Sequence, residues 1–299
     1  GRSVYAGAIS RGQTVELTEF RSPAPRCWVT YHDGSPGQVA DPALVAEGLG
    51  WTDRCIGAGC AYVIVKMKWD PDTLPFPPPF AFLTEGVKFY DRRKDSTQGG
   101  DGAHRLMDPS TWELSVNPMV AFDHYSQGIF IEGIKVFGPG LKPEQCPFDR
   151  FVAQANLNDE LTATKSGGQQ VRYQANGFIF DDRPHRDTMQ DLCRAMNARP
   201  ADFGGRVSVI SGEARVPVMT LTDQDLWQLS KDGYVPFDSA ADVFNSVKGN
   251  YQDPANNYSP SEYPAQTDPQ WVIEDNGIQR AFQFDLDMET DGERAQRLA

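Results

Sequence analysis

The sequence predicts an α+β fold that is rich in β-structure and divided into several domains. Its 299 residues exceed what one hydrophobic core usually holds, and the length suggests about two domains. The 27 glycines and 22 prolines indicate many turns. Short stretches of alternating polarity are typical of half-buried strands, and short amphipathic stretches with capping residues lie between them.

The composition narrows the classes of function. The chain has 41 acidic and 28 basic residues, a net charge of −13, whereas duplex DNA or an anionic membrane requires a basic surface. No run approaches the 18 apolar residues of a membrane span. The cysteines form no repeating pattern, which predicts free thiols in a protein assembled in the cytosol. They are Cys27, Cys55, Cys60, Cys146 and Cys193.

Alternating polarity predicts the strands. Residues 26–32 and 61–69 show it most clearly. The second segment has one apolar face, formed by Val63, Val65, Met67 and Trp69. Further strands are predicted at residues 80–91, 171–180, 216–222 and 279–289, the last with Phe282, Phe284, Leu286 and Met288 on one face. Gly204–Gly205 marks a tight hairpin.

Capping residues and apolar spacing predict the helices. Asn117 suits an N-cap and Pro118 a first turn, so a helix should cover residues 118–126 and stop before Gly128. Apolar residues at i, i+3, i+4 and i+7 predict a second helix from Phe148 to about Leu161. Further helices are predicted within residues 41–50, 181–198 and 223–230, the last after a capping box of Thr222 and Asp225.

Three stretches are predicted to be irregular. Residues 71–80 form a Pro-rich crossing that cannot donate to a central strand. Residues 92–105 are polar, Gly-rich and without period, which indicates an exposed loop or a domain boundary. Residues 249–270, rich in Tyr, Pro and Asn, are interpreted as an extended connection or contact arm.

Residues 181–198, DDRPHRDTMQDLCRAMNA, have the composition of an active site. However, the apolar residues in it follow the spacing of one helix face, where a free cysteine behaves as a small hydrophobe. These residues are Met189, Leu192, Cys193 and Met196. With Asp181 or Asp182 as the cap and His185 exposed at the start, we interpret the stretch as a scaffold helix. A reactive thiol at Cys193 is the alternative.

The remaining reactive residues form no recognised metal motif. The four histidines, at 32, 104, 124 and 185, show neither an H-E-x-x-H nor an H-x3–5-H spacing. Cys55 and Cys60 lack a second pair and are expected in a loop and at a strand entry. His104-Arg105 near Asp101 and Asp108 could form a local ion cluster, but a solvated loop is favoured.

Residues 285–296 partly match the pattern of a calcium-binding EF-hand loop. Asp287, Glu289 and Asp291 would take positions 1, 3 and 5 of an EF-loop and Gly292 position 6. Position 12 is then Leu298, where the loop requires a bidentate Glu. A charged strand-to-helix turn is therefore favoured.

No motif of nucleotide binding or nucleophilic catalysis is present, and the sequon at 257–259 is uninformative without secretion. We assign no catalytic, cofactor-binding or metal-binding residue and expect no enzyme. Paired carboxylates, as in a cell-wall hydrolase, stay possible because distance in space is not visible in a sequence.

Three blocks of the sequence resemble tail-tip proteins of tailed phages. The first contains DPSTWELSVNP, residues 108–118, between a strand and a helix. The second, residues 171–226, has a strand, a helix ending in LCRAM, a hairpin and PVMTLTDQDL. The third is NSVKGNYQDPANNY, residues 245–258, leading to an extended arm. The resemblance covers about residues 60–299, and 26–60 more weakly. The family is the tail hub, or tip attachment, proteins of lambda-type siphophages, the host-specificity protein J group, which includes gene transfer agent hubs.

The resemblance implies a structural virion protein at the distal tail tip, assembled in the host cytoplasm. It implies β-barrel-like domains and an α/β domain with helices bracing a hairpin sheet. The implied divisions are the end of a preceding hub domain at 1–25, a β-rich domain at 26–105, an α/β domain at 106–215 and the start of another β-rich domain at 216–299. No catalytic residue is carried over.

The implied partners are two further copies in a homotrimer, the distal tail protein, the tape measure protein and tail fibre or receptor-binding components. A host receptor would bind a C-terminal continuation, because the chain, which starts without Met, is expected to be a piece of a longer protein. No stable binding of nucleic acid or membrane and no cofactor are expected. The alternative functions are a tail-associated cell-wall hydrolase and a carbohydrate-binding module.

Overall fold

Small, mostly antiparallel sheets and short helices make up the described part of the chain, which confirms the α+β class. The computed structural model describes residues 13–17, 26–35, 37–72, 74–84, 86–131, 133–180, 182–214, 216–220, 222 and 243–299. The chain divides into two compact units, Gly1–Thr84 and Glu85–Ala299. The four hub-domain boundaries stay a prediction.

The first unit contains a three-stranded antiparallel sheet in the order β1-β2-β3. Its elements are β1 (Thr14–Glu16), β2 (Cys27–His32), α1 (Pro42–Glu47) and β3 (Tyr62–Met67). The two strands and the helix expected here are confirmed. The β3 face predicted to be apolar packs on buried Cys27 and Val29, except that Trp69 lies beyond the strand end and is 69% exposed. Asp41 caps α1 by accepting from two backbone N–H groups, and Gly48 ends it in the left-handed conformation.

The described part of the second unit contains five α-helices and short paired strands. The helices are α2 (Pro118–Gln127), α3 (Phe148–Asp159), α4 (His185–Arg194), α5 (Pro269–Glu274) and α6 (Gly292–Leu298). The strands are β4 (Lys88–Phe89), β5 (Glu113–Leu114), β6 (Ile129–Ile131), β7 (Ile134–Phe137), β8 (Leu161–Ala163), β9 (Gln169–Val171), β10 (Ala198–Asp202), β11 (Val207–Ser211), β12 (Ser246–Lys248), β13 (Asn250–Asp253), β14 (Ser259–Glu262), β15 (Gln266–Thr267) and β16 (Ala281–Gln283).

The main core of this unit lies between α2, α3, α4 and the hairpin β10–β11. Every residue of α2 is buried, so this helix has no solvent face. Asn117 caps α2 and Gly128 ends it, as predicted. The hairpin turns at Gly204–Gly205, also as predicted, and Val209 packs into the core. The described sheets have two or three strands and none closes on itself, so the expected barrel-like domains are not found in the described part of the chain.

Three strand predictions extend too far. Among the described residues of 80–91 only β4 is a strand, and of residues 171–180 only the end of β9 is one. The described residues of 216–222 contain no strand. In each case the sequence is strand-forming but lacks a hydrogen-bonded partner strand over most of its length, and propensity alone does not make a sheet. The helix predicted at 223–230 and Asp225 of its capping box lie outside the described residues.

Residues 249–270 do not form an extended arm. They fold into the hairpin β13–β14 and contribute the edge strand β15. The turn is possible because Asn257 and Tyr258 both take positive φ values, 51° and 56°. Tyr263 is buried and donates its hydroxyl proton to the Phe284 carbonyl at 2.7 Å. The tyrosines that suggested a contact arm therefore include one that anchors the hairpin to its own unit.

The predicted apolar face of residues 279–289 is divided by a strand end. Strand β16 stops at Gln283, and Phe282 within it is 48% exposed. Leu286 and Met288, which follow in a turn, are buried in two different clusters. The alternating pattern is present in the sequence, but the prediction that its apolar residues share one face is wrong.

Candidate functional site

A buried polar network around helix α2 is the most prominent concentration of ionisable side chains in the described chain. It joins residues 90–105, the motif at 108–118, α2 and α3. The expectation of an exposed loop at 92–105 is confirmed for residues 96–99, which are exposed and lie in turns, but not for three residues of the segment that are buried. Arg92, Asp95 and His104 are each less than 5% exposed. The glycines that suggested a loop allow tight packing instead, since a Cβ on Gly100 would lie 2.3 Å from the Arg93 carbonyl oxygen.

Arg92 and Asp123 form an ion pair inside the unit. The Arg92 guanidinium donates to Asp123 Oδ1 at 3.3 Å and to the Cys146 carbonyl at 2.8 Å. It also lies 5.1 Å from the ring centre of Phe148. Gln127, one turn further along α2, donates to the other oxygen of Asp123 at 2.6 Å. Burial raises the pKa of Asp123 to about 6 even though the Arg92 charge opposes the change.

Tyr90 and Asp95 form a second buried pair. The Tyr90 hydroxyl donates to Asp95 Oδ2 at 2.5 Å, and Arg105 donates to Oδ1 at 2.9 Å. Burial alone would raise the pKa of Asp95, but the hydrogen bonds from Tyr90 and Thr97 and the Arg105 charge outweigh it, so this pKa is lowered. Burial and the bond to Asp95 raise the pKa of Tyr90. Both side chains are thus held in their ordinary neutral-pH charge states.

Two buried histidines in this network accept hydrogen bonds from backbone N–H groups. His124 Nδ1 accepts from the Tyr90 N–H at 3.2 Å, and His104 Nδ1 accepts from the Asp91 N–H at 3.1 Å. An imidazole that accepts at Nδ1 carries its proton on Nε2 when neutral. Burial lowers the pKa of His124 to about 4. The Trp112 ring contacts His124 edge-on, with ring centres 4.4 Å apart.

The motif at 108–118 supplies the polar contacts between helices. Asn117 accepts from the N–H groups of Met119 and Val120, and its amide donates to Ala155 and Asp159 of α3 at 2.8 Å each. One residue therefore caps α2 and ties it to α3. Asp108 does not join an ion cluster with His104-Arg105, because it caps the short helix Pro109–Thr111 instead.

The groups at the centre of this arrangement hold the structure together and are shielded from solvent. The side chains of Arg92 and Asp123 are 4% and 3% exposed, and His124 is 0% exposed. Sequence reasoning missed the network because its partners are far apart in the chain. The available signal was the pair Asp123-His124 inside an otherwise apolar helical stretch.

The structure places Cys193 in the core, as the scaffold interpretation of residues 181–198 predicts. Burial raises the pKa of its thiol to about 12, so it does not ionise near neutral pH. Met189, Leu192 and Met196 are buried beside it. His185 is exposed at the helix start, where its Nδ1 lies 2.7 Å from the Tyr125 hydroxyl.

The capping prediction for this helix is wrong. Helix α4 begins after Pro184, and no side chain caps it. Asp182 is exposed two residues before this position, and Asp181 lies outside the described residues. Pro184 occupies the N-cap position, where its ring fixes φ but supplies no acceptor for the first N–H groups of the helix.

The turn before α6 has a structural role. The sequence favours this interpretation over a calcium-binding EF-loop. Glu289 is 0% exposed and pairs with Arg294 at 2.8 Å. Its other oxygen accepts from the N–H groups of Thr290 and Asp291, while Asp291 caps α6. A carboxylate engaged in this way is not available to a cation.

The cysteines, the possible metal ligands and the helices of the described residues give no further candidate site. Cys55 and Cys60, like the other three cysteines, are free thiols. Within the described ranges, no three His, Cys, Asp or Glu side chains converge as metal ligands would. No helix in those ranges is long and apolar enough to cross a membrane.

Comparison with models of known protein families finds no match for this chain, and a search of curated proteins finds none either.

Proposed function

We propose that this chain is a structural virion protein, a subunit of the tail-tip hub that closes the tail tube and connects it to the host-recognition apparatus. The order of the three sequence blocks supports the proposal. One structural observation carries it: the characteristic residues of the first block all act on the fold itself.

The motif at 108–118 illustrates this role. Asp108 caps a short helix, and Trp112 donates its indole N–H to the Arg105 carbonyl at 2.9 Å. Asn117 caps α2 and joins it to α3. Residues that serve only to fix a rigid shape suit a protein whose task is to hold neighbouring subunits in place.

The described carboxyls with raised pKa give no support to a cell-wall hydrolase. Burial raises the pKa of Asp123 and Glu289, and each is held by an arginine inside the unit. A general acid must reach the glycosidic oxygen of its substrate. Neither carboxyl is accessible to a glycan.

The proposal includes the partners and the finer architecture that the resemblance implies. Three copies surround the tail axis and contact the distal tail protein and the tape measure protein. Receptor-binding components follow in the C-terminal continuation. The two units contribute to hub domains, with α2, α3 and α4 bracing the hairpin β10–β11 in the α/β domain.

The test uses the particles encoded with this chain. Antibodies raised against the purified chain should label the distal end of the tail in electron micrographs, with antibodies against a major capsid protein as the control. In sedimentation equilibrium the chain should reach three times its mass of 33.2 kDa. Label on no part of the tail would contradict the proposal, and clearing of peptidoglycan by the chain would favour the hydrolase.

A further inference from the structure

Residues 173–180 form an extended segment with one face on the core and the other exposed. Tyr173, Ala175 and Ile179 pack against the main core of the second unit. Phe178 and Phe180 point away from it and are 71% and 60% exposed, with their rings stacked 6.5 Å apart. This alternation is the geometry of a β-strand.

The backbone of this segment loses its partners halfway along. The Ala175 N–H donates to the Val116 carbonyl and the Asn176 N–H to the Met288 carbonyl, each at 2.8 Å. From residue 177 to residue 180, no hydrogen bond joins the backbone to any other described residue. An extended backbone with open donors and acceptors is a template for strand addition.

A second segment of the same chain has matching properties. Residues 216–220 were predicted as a strand but are unpaired within the described structure. Val216, Val218 and Met219 are 86%, 101% and 70% exposed. Pro217 is compatible with an edge strand, which leaves one N–H side unbonded.

We propose that residues 177–180 of one copy pair, as an added β-strand, with residues 216–220 of a second copy. The inference rests on the proposed trimer and names the surface that forms it. Two different segments that pair head to tail give a heterologous contact, and such contacts close into a ring when the rotation fits. In a ring of three copies, the same contact occurs three times, and both segments of every copy are then paired.

The absence of charge in both segments and the exposed aromatic area favour a second copy of this chain as the binding partner. Neither segment contains a charged residue, although the chain carries a net charge of −13, so pairing them places no like charges within the contact itself. If a fully exposed aromatic side chain offers about 200 Å², Phe178 and Phe180 together offer on the order of 250 Å². That is roughly a third of the ~800 Å² per partner in a standard interface, before the other segment is counted.

The first experiment removes the exposed aromatic face. The double variant Phe178→Ser with Phe180→Ser should associate about 100-fold more weakly in sedimentation equilibrium, since two central aromatic anchors are lost. The control is Phe76→Ser with Leu83→Ser, whose side chains are 79% and 76% exposed in the first unit. Circular dichroism and thermal unfolding of all proteins establish that each variant is folded.

The second experiment tests the pairing itself. Chains with Phe180→Cys and chains with Val218→Cys are mixed and oxidised. A covalent dimer should form in the mixture well above its level in either variant alone, which controls for the native thiols.

The outcomes separate this inference from the proposed function. A trimer that persists in the Phe178→Ser, Phe180→Ser variant, or equal cross-linking in the mixture and in the single variants, overturns the pairing. Tip labelling would then still support the hub. A purified wild-type chain that stays monomeric overturns the pairing as well. Missing tip label with intact cross-linking overturns the hub function alone.

Discussion

At the scale of single residues, the Arg92–Asp123 pair shows how much this unit depends on keeping both charges of a buried ion pair. Both side chains are buried, and because burial still raises the pKa of Asp123, their attraction offsets only part of the cost of removing two charges from water. The Cys146 carbonyl and the Gln127 amide add hydrogen bonds to the pair, while Arg92 Nε is buried without a partner in the described structure. Removing one member therefore costs more than the pair contributes, because it leaves a buried charge behind.

This reasoning gives a first prediction. Asp123→Asn keeps the shape of the side chain but leaves the Arg92 charge without its counter-ion, so the free energy of unfolding should fall by about 3–5 kcal/mol. The matched control is Glu160→Gln, which breaks a partly exposed ion pair with Arg172 and should cost no more than about 1 kcal/mol. Urea denaturation measures both. Equal losses in the two variants would refute the special role of the buried pair.

His124 gives a second prediction, on pH dependence. Its pKa falls from 6.5 to about 4 on folding, so the unfolded chain takes up a proton first as the pH drops. The stability it contributes is fully present above pH 6.5 and is lost as the pH falls towards 4. Asp123 has the opposite effect, because its pKa is raised from 3.8 to about 6 on folding. The stability that it contributes is present at low pH and is lost as the pH rises from 3.8 to about 6.

The two effects offset each other in the wild type and separate in a variant. In His124→Asn, whose amide oxygen can accept the Tyr90 N–H, only the Asp123 contribution stays. The difference in unfolding free energy between wild type and variant should shrink by on the order of 3 kcal/mol between pH 6.5 and pH 4. Urea denaturation across this range measures it. A difference that is constant with pH would show that His124 is not buried in its neutral form.

At the scale of elements, helices α1 to α4 could be predicted from sequence, whereas α5 was not predicted and the strand lengths could not be. Asn117 and Gly128 mark both ends of α2 by local chemistry, and the apolar stripe with Cys193 marks α4. Strand lengths depend on a partner elsewhere in the chain, so residues 172–180 were predicted as a strand, but the structure gives them isolated backbone hydrogen bonds and no partner strand. The buried network was missed for the same reason, since Arg92 and Asp123 are 31 positions apart.

The hairpin β6–β7 gives a prediction at this scale. Gly138, just after β7, has a φ of 81°, and a Cβ there would lie 2.2 Å from the Tyr125 carbonyl oxygen of α2. Gly133 in the turn has a similar φ of 80° but nothing within 4 Å. Gly133→Ala should therefore cost about 1–2 kcal/mol from backbone strain alone.

Gly138→Ala should cost clearly more, because the hairpin must also move away from α2. Thermal unfolding of the two variants compares the same backbone strain with and without the clash. Equal stabilities would mean that the base of the hairpin can shift freely, and the close packing against α2 would then have no energetic importance.

At the scale of the whole molecule, a net charge of −13 on each copy opposes assembly. The proposed contact between residues 177–180 and 216–220 is uncharged, so it does not depend on ion pairs between copies. Added salt screens repulsion between exposed charges that are more than about 10 Å apart at 0.1 M. It has little effect on apolar contacts at such concentrations.

Self-association should therefore become stronger as sodium chloride rises from about 0.02 to 0.2 M, where the screening length shortens most. Sedimentation equilibrium at constant pH measures the association constant at each salt concentration. The Phe178→Ser, Phe180→Ser variant is the control, and it should stay weakly associated throughout because screening cannot replace the lost apolar contact. Association that weakens with salt would show that charge pairs hold the copies together, which would contradict an uncharged strand contact as the main interface.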